Sequence, residues 1–345
     1  MNTLIDRYKH YRSRNRLSDT YKYQYAFVGI GNHSIMNLYP VLQYLQVPIK
    51  YICCKSKDKL PLIEAKYHGI RPTTSIDEIL DDDDVKGIFV SASPASHFAL
   101  SSQVLKKGKS LFVEKPICYT LEELRRLYDT AKQYGSKVVM VGMQKRYSPL
   151  SDILIKKLKH SELISYHYKY TTGLYPEGDA LVELFIHPLD YVSFLFGEAK
   201  VIGNRCIKSG SGGITYLLIL QHDNITGVLE LSTAYSWLDA QETLSINSKK
   251  GTYTLSQMEK LEYASKTGGV LGIPIEKIIP QNSTDTILYK RNNFVPSLVN
   301  NQIYSQGYFN EIKAFLDANE RNGDNRSSIR DMFSTYHLIE ELGRI

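Results

Sequence analysis

Two regimes of hydrophobic patterning divide this chain near residue 149. Before that point, short apolar runs alternate with stretches of helical period. The runs at 25–28, 49–54, 87–93, 110–113 and 137–143 read as buried strands. The stretches at 34–45, 60–67, 75–80, 96–107 and 120–134 read as helices, two of them opened by capping residues, Ser75 with Glu78 and Thr120 with Glu123. Strands alternating with helices predict an α/β fold with a Rossmann-type, doubly wound parallel sheet. Beyond residue 149 a helix at 150–159 leads into the alternating strand ELISYHYKYTT. A helix with a wide apolar stripe follows at 180–195, ended by Gly197. Alternating strands are predicted at 199–207, 213–221, 227–232, 243–247 and 251–256. Their short turns argue for a mostly antiparallel open sheet in a C-terminal α+β domain. One face of that sheet should cover helices, leaving the other for a homodimer or homotetramer interface. The stretch 258–297 shows little periodicity, and two amphipathic helices close the chain. The expected domains are therefore a basic extension at 1–23, an α/β domain at 24–149, for which the turn at Gly29 and Gly31 implies dinucleotide binding, and a C-terminal domain at 150–345, left for substrate binding and oligomerisation.

Charge changes this picture only at the N-terminus. Arg7, Lys9, Arg12, Arg14, Arg16 and Lys22 face two acids, Asp6 and Asp19, so the first 25 residues hold +4 of the formal +6. The rest is close to neutral, which argues against nucleic acid as a partner. The arm is expected to be solvated or loosely docked. The four cysteines, 53, 54, 118 and 206, have no metal-site spacing and suit a reducing, cytoplasmic setting. No apolar run approaches the roughly 20 residues of a membrane helix, and no metal is expected.

The chemistry-bearing residues fall at the ends of predicted elements. Gly29 and Gly31 form a turn between a strand and a helix, with Asn32, His33 and Ser34 at the helix start. Strand, Gly-x-Gly and helix is the context of a dinucleotide fingerprint, in which backbone N–H groups meet a pyrophosphate. Past the second strand, where NAD-binding folds usually place an acid for the ribose, stand Lys55 and Ser56. An ammonium and a hydroxyl would welcome a 2′-phosphate, which favours NADP(H) over NAD(H). A solvated lysine loop with NAD held by backbone contacts is the other reading. Ser93 and Pro94 end the third strand, and they join His97 as candidate cofactor contacts. At Glu114-Lys115-Pro116 the proline ends a strand, leaving Lys115 at the C-terminal sheet edge where α/β folds bind ligands. Glu183, His187 and Asp190, spaced four and three apart, share one helix face. They form either a satisfied core histidine with a helix salt link or a reactive cluster.

The segment GKSLFVEKPICYTLEELRRLYDTAKQYGSKVVMVGMQKRYSP resembles the Gfo/Idh/MocA family of oxidoreductases. The glycine turn, the acidic stretch before the third strand and the C-terminal helices are also similar, so the likeness runs from about residue 24 onward. It implies that Lys115 sits at the nicotinamide and the substrate hydroxyl, with Glu114, Gln144 and Arg146 shaping the cofactor pocket. It implies that His187 transfers the proton, with Asp190 or Glu183 orienting it or binding a neighbouring hydroxyl. Glu183 stands where the family usually has Asp, and Phe185 where it often has Gly; the Phe would narrow the pocket. The function so implied is hydride transfer between nicotinamide and a secondary alcohol or ketone of a sugar, cyclitol or nucleotide-sugar. An imine reductase and a non-catalytic NADP(H)-binding regulator are the alternatives on the same fold.

Overall fold

The computed structural model describes residues 2–18, 20–279, 285–295 and 297–344. The chain divides into two compact units, neither of which is one continuous segment. The first comprises Met1–Glu114, Asp129–Met140 and Ile312–Asn325; the second comprises Lys115–Tyr128, Val141–Glu311 and Arg326–Ile345.

The N-terminal sheet has six strands: β1 Gln24–Val28, β2 Ile49–Cys53, β3 Arg71–Thr73, β4 Val85–Val90, β5 Ser110–Glu114 and β6 Val139–Gly142. Their order is β3-β2-β1-β4-β5-β6, with parallel pairing from β3 through β5. The apolar runs read as buried strands because a parallel sheet is covered on both faces. Strand β3 is absent from the sequence expectation. It is three residues long, and its Pro72 is tolerated because β3 is an edge strand. The core of this unit is aromatic. Phe315 meets the rings of Phe89, Phe112 and Tyr25 at centroid separations of 5.0, 5.8 and 6.3 Å. Asn319, one turn further along the same helix, accepts from the Ser110 hydroxyl at 2.8 Å. These contacts correct the expected boundary: residues 312–325 join the dinucleotide-binding unit instead of the C-terminal domain. The N-terminal arm is also more ordered than expected, forming the helix Asn2–Ser18.

The second unit is built on an eight-stranded sheet. Its strands are β7 Leu163–Thr171, β8 Lys200–Lys208, β9 Ile214–Gln221, β10 Thr226–Ser232, β11 Gln241–Ser248, β12 Gly251–Ser256, β13 Lys260–Ser265 and β16 Asp285–Lys290; β14 Gly269–Val270 and β15 Ile273–Pro274 form a separate small ladder. The order is β16-β13-β12-β11-β7-β10-β9-β8. Pairing is antiparallel except between β7 and β10. Strands β13 and β16 lie in the stretch expected to lack periodicity, where glycines and prolines obscure short strands; residues 280–284 and 296 fall outside the described residues. The inner face buries Tyr166, Tyr168, Leu229, Leu231, Leu244 and Ile246, while Leu217, Ile219 and Val228 on the opposite face are about 40% exposed.

The striped helix expected over 180–195 is two elements. Ala180–Leu184 is a π-turn and Ile186–Phe196 an α-helix. Pro188 has no N–H to give the Leu184 carbonyl, so the regular ladder cannot run through this point. The Phe185 N–H instead reaches back five residues to the Ala180 carbonyl at 2.8 Å. The Asp179 carboxylate caps the start, accepting from the Leu181 N–H at 2.8 Å. Among the described residues no helix is long and apolar enough to cross a membrane.

Replacing Phe315 by Ala removes the ring shared by three core aromatics. We expect a loss of about 3–5 kcal/mol, read as a lower urea midpoint for unfolding of the first unit.

Candidate active site

In the first unit, the glycine turn lies at the C-terminal end of β1. Gly29 has φ +101°, and a Cβ there would overlap the Ser91 carbonyl. Only glycine fits where the two βα connections pass so closely. Gly31, by contrast, has open space where its Cβ would be. Ser34 closes the turn by accepting from the Gly31 N–H at 2.9 Å and donating to the Gly31 carbonyl at 3.0 Å. His33 stands 3.1 Å from the Glu114 carboxylate through Nε2, and the Asn37 amide lies 3.0 Å from its Nδ1. The turn is thereby linked to the end of β5. Lys59, which sequence reading passed over, reaches the Ile30 carbonyl at 3.4 Å. Open space beside a glycine at a helix N-terminus, with an ammonium at its rim, fits the pyrophosphate of a dinucleotide. Lys55 and Ser56 are exposed on the loop after β2. The same loop carries Asp58, whose carboxyl is held below the usual range chiefly by a hydrogen bond from Ser56.

Ser93 is hydrogen-bonded to Ser96 at 3.0 Å and precedes Pro94, the first residue of the helix Pro94–Lys106. His97 is only 1% exposed, with its ring 3.0 Å from the Ala92 carbonyl. The ring is thus held against the backbone of the loop that carries Ser93.

In the second unit, Lys115 follows directly on β5 and its Nζ donates to the Glu183 backbone carbonyl at 2.6 Å. The loop after Lys115 is pinned by Tyr336, whose hydroxyl donates to the Cys118 carbonyl at 2.8 Å and accepts from the Cys118 N–H at 3.3 Å. The Glu183 side chain, 5% exposed, accepts from the Tyr119 hydroxyl at 2.6 Å and from the Tyr175 hydroxyl at 3.2 Å. Burial, with the Glu183 carboxylate behind it, pushes both phenols up, Tyr175 to about 12. His187 is half-buried one turn beyond Glu183. Lys115, Glu183 and His187 thus belong to one compact unit. Neither tyrosine was singled out in the sequence: Tyr119 is four residues past Lys115, but Tyr175 lies in a loop with no periodic signal.

Both Asp190 oxygens accept from Arg146, at 2.6 and 2.9 Å, and Thr335 donates to one of them at 3.0 Å. Asp190 and Arg146 are 2% and 3% exposed. The guanidinium also donates to the Arg326 carbonyl at 2.6 Å. Asp190 and Arg146 thus form a buried bidentate pair. Gln144 is likewise buried, its amide 3.4 Å from the Tyr308 hydroxyl. Lys145, between them, forms a second buried pair, Nζ to Glu242 at 2.5 Å, with the Tyr168 hydroxyl donating to the same oxygen at 2.6 Å. Phe185 is fully buried, edge-on to Tyr170 and Tyr216. It fills the core, so the expected narrowing of a pocket gives way to packing. Among the described residues no cluster of His, Cys, Asp and Glu is placed to hold a metal.

The first unit holds a six-stranded Rossmann-type sheet with a glycine turn; the second holds an open, mostly antiparallel sheet and also Lys115, Glu183 and His187. Residues 23–143 match the family described as oxidoreductase family, NAD-binding Rossmann fold. An uncharacterized oxidoreductase of Escherichia coli, YhhX, is 29% identical over 155 residues, 42% of this chain and 44% of the relative. Inositol 2-dehydrogenase of Salmonella paratyphi B is 25% identical over 128 residues, 35% of this chain and 38% of the relative. The chain thus spans less than half the length of these two curated relatives. A dehydrogenase from Chromobacterium violaceum superposes with a TM-score of 0.77 at 18% identity, covering 93% of this chain and 94% of that one. A 3-ketoreductase from Actinomadura kijaniata, solved with TDP-benzene and NADP, superposes at 0.73 with 14% identity, covering 93% and 97%. These likenesses extend the shared fold over nearly the whole chain.

The buried pair carries a stability prediction. Asp190→Ala leaves the Arg146 charge without its partner and should cost about 3–5 kcal/mol, whereas replacing both by apolar residues of similar volume should recover most of that loss. Urea denaturation of the single and double variants checks both outcomes.

Proposed function

We propose that this chain is a nicotinamide-dependent oxidoreductase acting on a secondary alcohol or ketone of a sugar, cyclitol or nucleotide-sugar. The observation that carries the reading is the bond from Lys115 to the Glu183 carbonyl. It holds an ammonium, at the end of a dinucleotide-binding strand, against the turn that precedes His187. The nicotinamide, when bound, supplies or accepts the hydride. Lys115 faces the substrate oxygen and its charge stabilises the negative charge that develops there. His187 exchanges the hydroxyl proton, a task suited to an imidazole near neutral pH. Glu183 binds a neighbouring hydroxyl. The inositol dehydrogenase and 3-ketoreductase names of related proteins support the substrate class.

The cofactor we favour is NADP(H). Lys55, Lys57 and Lys59 surround the loop after β2 against the single carboxylate of Asp58. The ketoreductase with the same fold was solved with NADP. We also propose that the outer sheet face pairs two copies in a homodimer or homotetramer. Leu217, Ile219 and Val228 there would otherwise leave an apolar stripe in water. Sedimentation should show an oligomer that Ile219→Lys dissociates.

Fluorescence titration should show tighter binding of NADPH than of NADH, and Lys55→Glu should weaken NADPH without weakening NADH. In a panel of polyols, ketoses and imines, one class should change nicotinamide absorbance. Lys115→Ala should then lower kcat/KM about 10²–10³-fold with cofactor affinity retained. Tight cofactor binding without turnover across the panel would instead favour the regulator, and turnover confined to imines would favour the imine reductase.

A further inference from the structure

Glu183 is held in the second unit by two hydroxyl donors. Its carboxylate is buried, and two segments converge on it. The loop after Lys115 contributes the Tyr119 hydroxyl at 2.6 Å, and the loop after β7 contributes the Tyr175 hydroxyl at 3.2 Å. Gly178 of that second loop lies against the carboxylate so closely that a Cβ would overlap both oxygens. Both phenols are pushed up by burial and by Glu183 itself, so each remains a donor at neutral pH. A carboxylate has about four acceptor positions, and the two phenols occupy two of them. The Lys115 ammonium donates to the Glu183 backbone carbonyl.

From this arrangement we infer that Tyr119 and Tyr175 are positioning residues that present Glu183 as the acceptor for a ligand hydroxyl. This rests on the oxidoreductase reading above and divides its labour: Glu183 recognises and His187 moves the proton. The two phenol bonds are unequal. Tyr119 makes the short one and fixes the carboxylate, while Tyr175 makes the long one from a loop and yields when a ligand hydroxyl arrives. A buried acceptor aimed by two donors discriminates strongly against an analogue lacking the matching hydroxyl, because the acceptor is then left short of a partner. Neither tyrosine is required to lose its proton.

Steady-state kinetics and ¹⁹F NMR on the full chain with NADP(H) test this. Tyr119→Phe, which removes only the hydroxyl, should raise KM for the polyol about tenfold, the loss of one hydrogen bond to a charged group. Its kcat and the pH profile of kcat should stay in place. Tyr175→Phe should raise KM less, and it carries the kinetic test if Tyr119→Phe does not fold. A fall in kcat with a displaced pH limb would put the phenol in the proton path and overturn the inference, as would an unchanged KM in both variants. The second readout does not need turnover. The signal of 3-fluorotyrosine at position 119 should move on Glu183→Gln and on addition of myo-inositol, glucose or TDP-glucose. A signal indifferent to Glu183→Gln, or to all three probes, refutes the inference even in an active enzyme. A signal that responds to both in a protein without turnover retires the oxidoreductase reading and keeps the hydroxyl receptor.

Discussion

The hydrogen bond from Lys115 to the Glu183 carbonyl is the constraint around which the candidate site is arranged. Pro116 stops β5 in the sequence, so the chain leaves the sheet with Lys115 at its edge. Tyr336 then pins the backbone of Cys118 from both sides. On the opposing segment, Pro188 interrupts the helix ladder and the π-turn Ala180–Leu184 takes its place. A regular helix would offer the Glu183 carbonyl an N–H four residues on, from His187; here the carbonyl accepts from the Lys115 ammonium. Two prolines, 72 residues apart, thus set the ammonium against the turn that carries the carboxylate and leads to the imidazole.

Buried charge supports this arrangement from behind. Three consecutive residues, Gln144, Lys145 and Arg146, are each less than a tenth exposed within one short 3₁₀ turn. Desolvating two adjacent cations is expensive, and each is answered separately, Lys145 by Glu242 and Arg146 by Asp190. Glu242 stands on β11 and Asp190 on the helix that bears His187. The 3₁₀ turn therefore ties the central sheet to that helix through charge-assisted bonds whose geometry is specific in a way apolar packing is not. Asp190, which the family resemblance offered as a partner of His187, ties its helix to Arg146.

What the sequence disclosed follows the range of the forces involved. The parallel sheet, the capping boxes and the glycine turn depend on neighbours within a few residues, and their patterns are visible in one line of text. Thr120 and Glu123 bond each other as their spacing requires, the Glu123 N–H giving to the Thr120 hydroxyl at 3.1 Å. Glu183, His187 and Asp190 were legible as a face, but not which of them is committed. That depends on Arg146, 44 residues away, and on Thr335, 145 residues away. Strand β16 joins the sheet only through its pairing with β13, across a glycine- and proline-rich interval. Residues 312–325 were assigned to the wrong unit because an amphipathic helix declares its apolar stripe and not the core that will receive it. Phe185 was misjudged for the same reason: its size was plain, whereas Tyr170 and Tyr216, which enclose it, come from two separate strands.

The position of Glu183 ties these threads together. A carboxylate with one more methylene than aspartate reaches further from the helix axis, and here that reach ends between two tyrosines and a glycine. Tyr119 depends on the loop set by Pro116. Tyr175 and Gly178 depend on the turn capped by Asp179, whose carboxylate accepts from the first N–H groups of the π-turn. A shorter side chain would leave both phenols short of an acceptor, and a side chain at position 178 would expel the longer one. The choice of glutamate, the two tyrosines and the glycine is therefore a single steric and hydrogen-bonding solution.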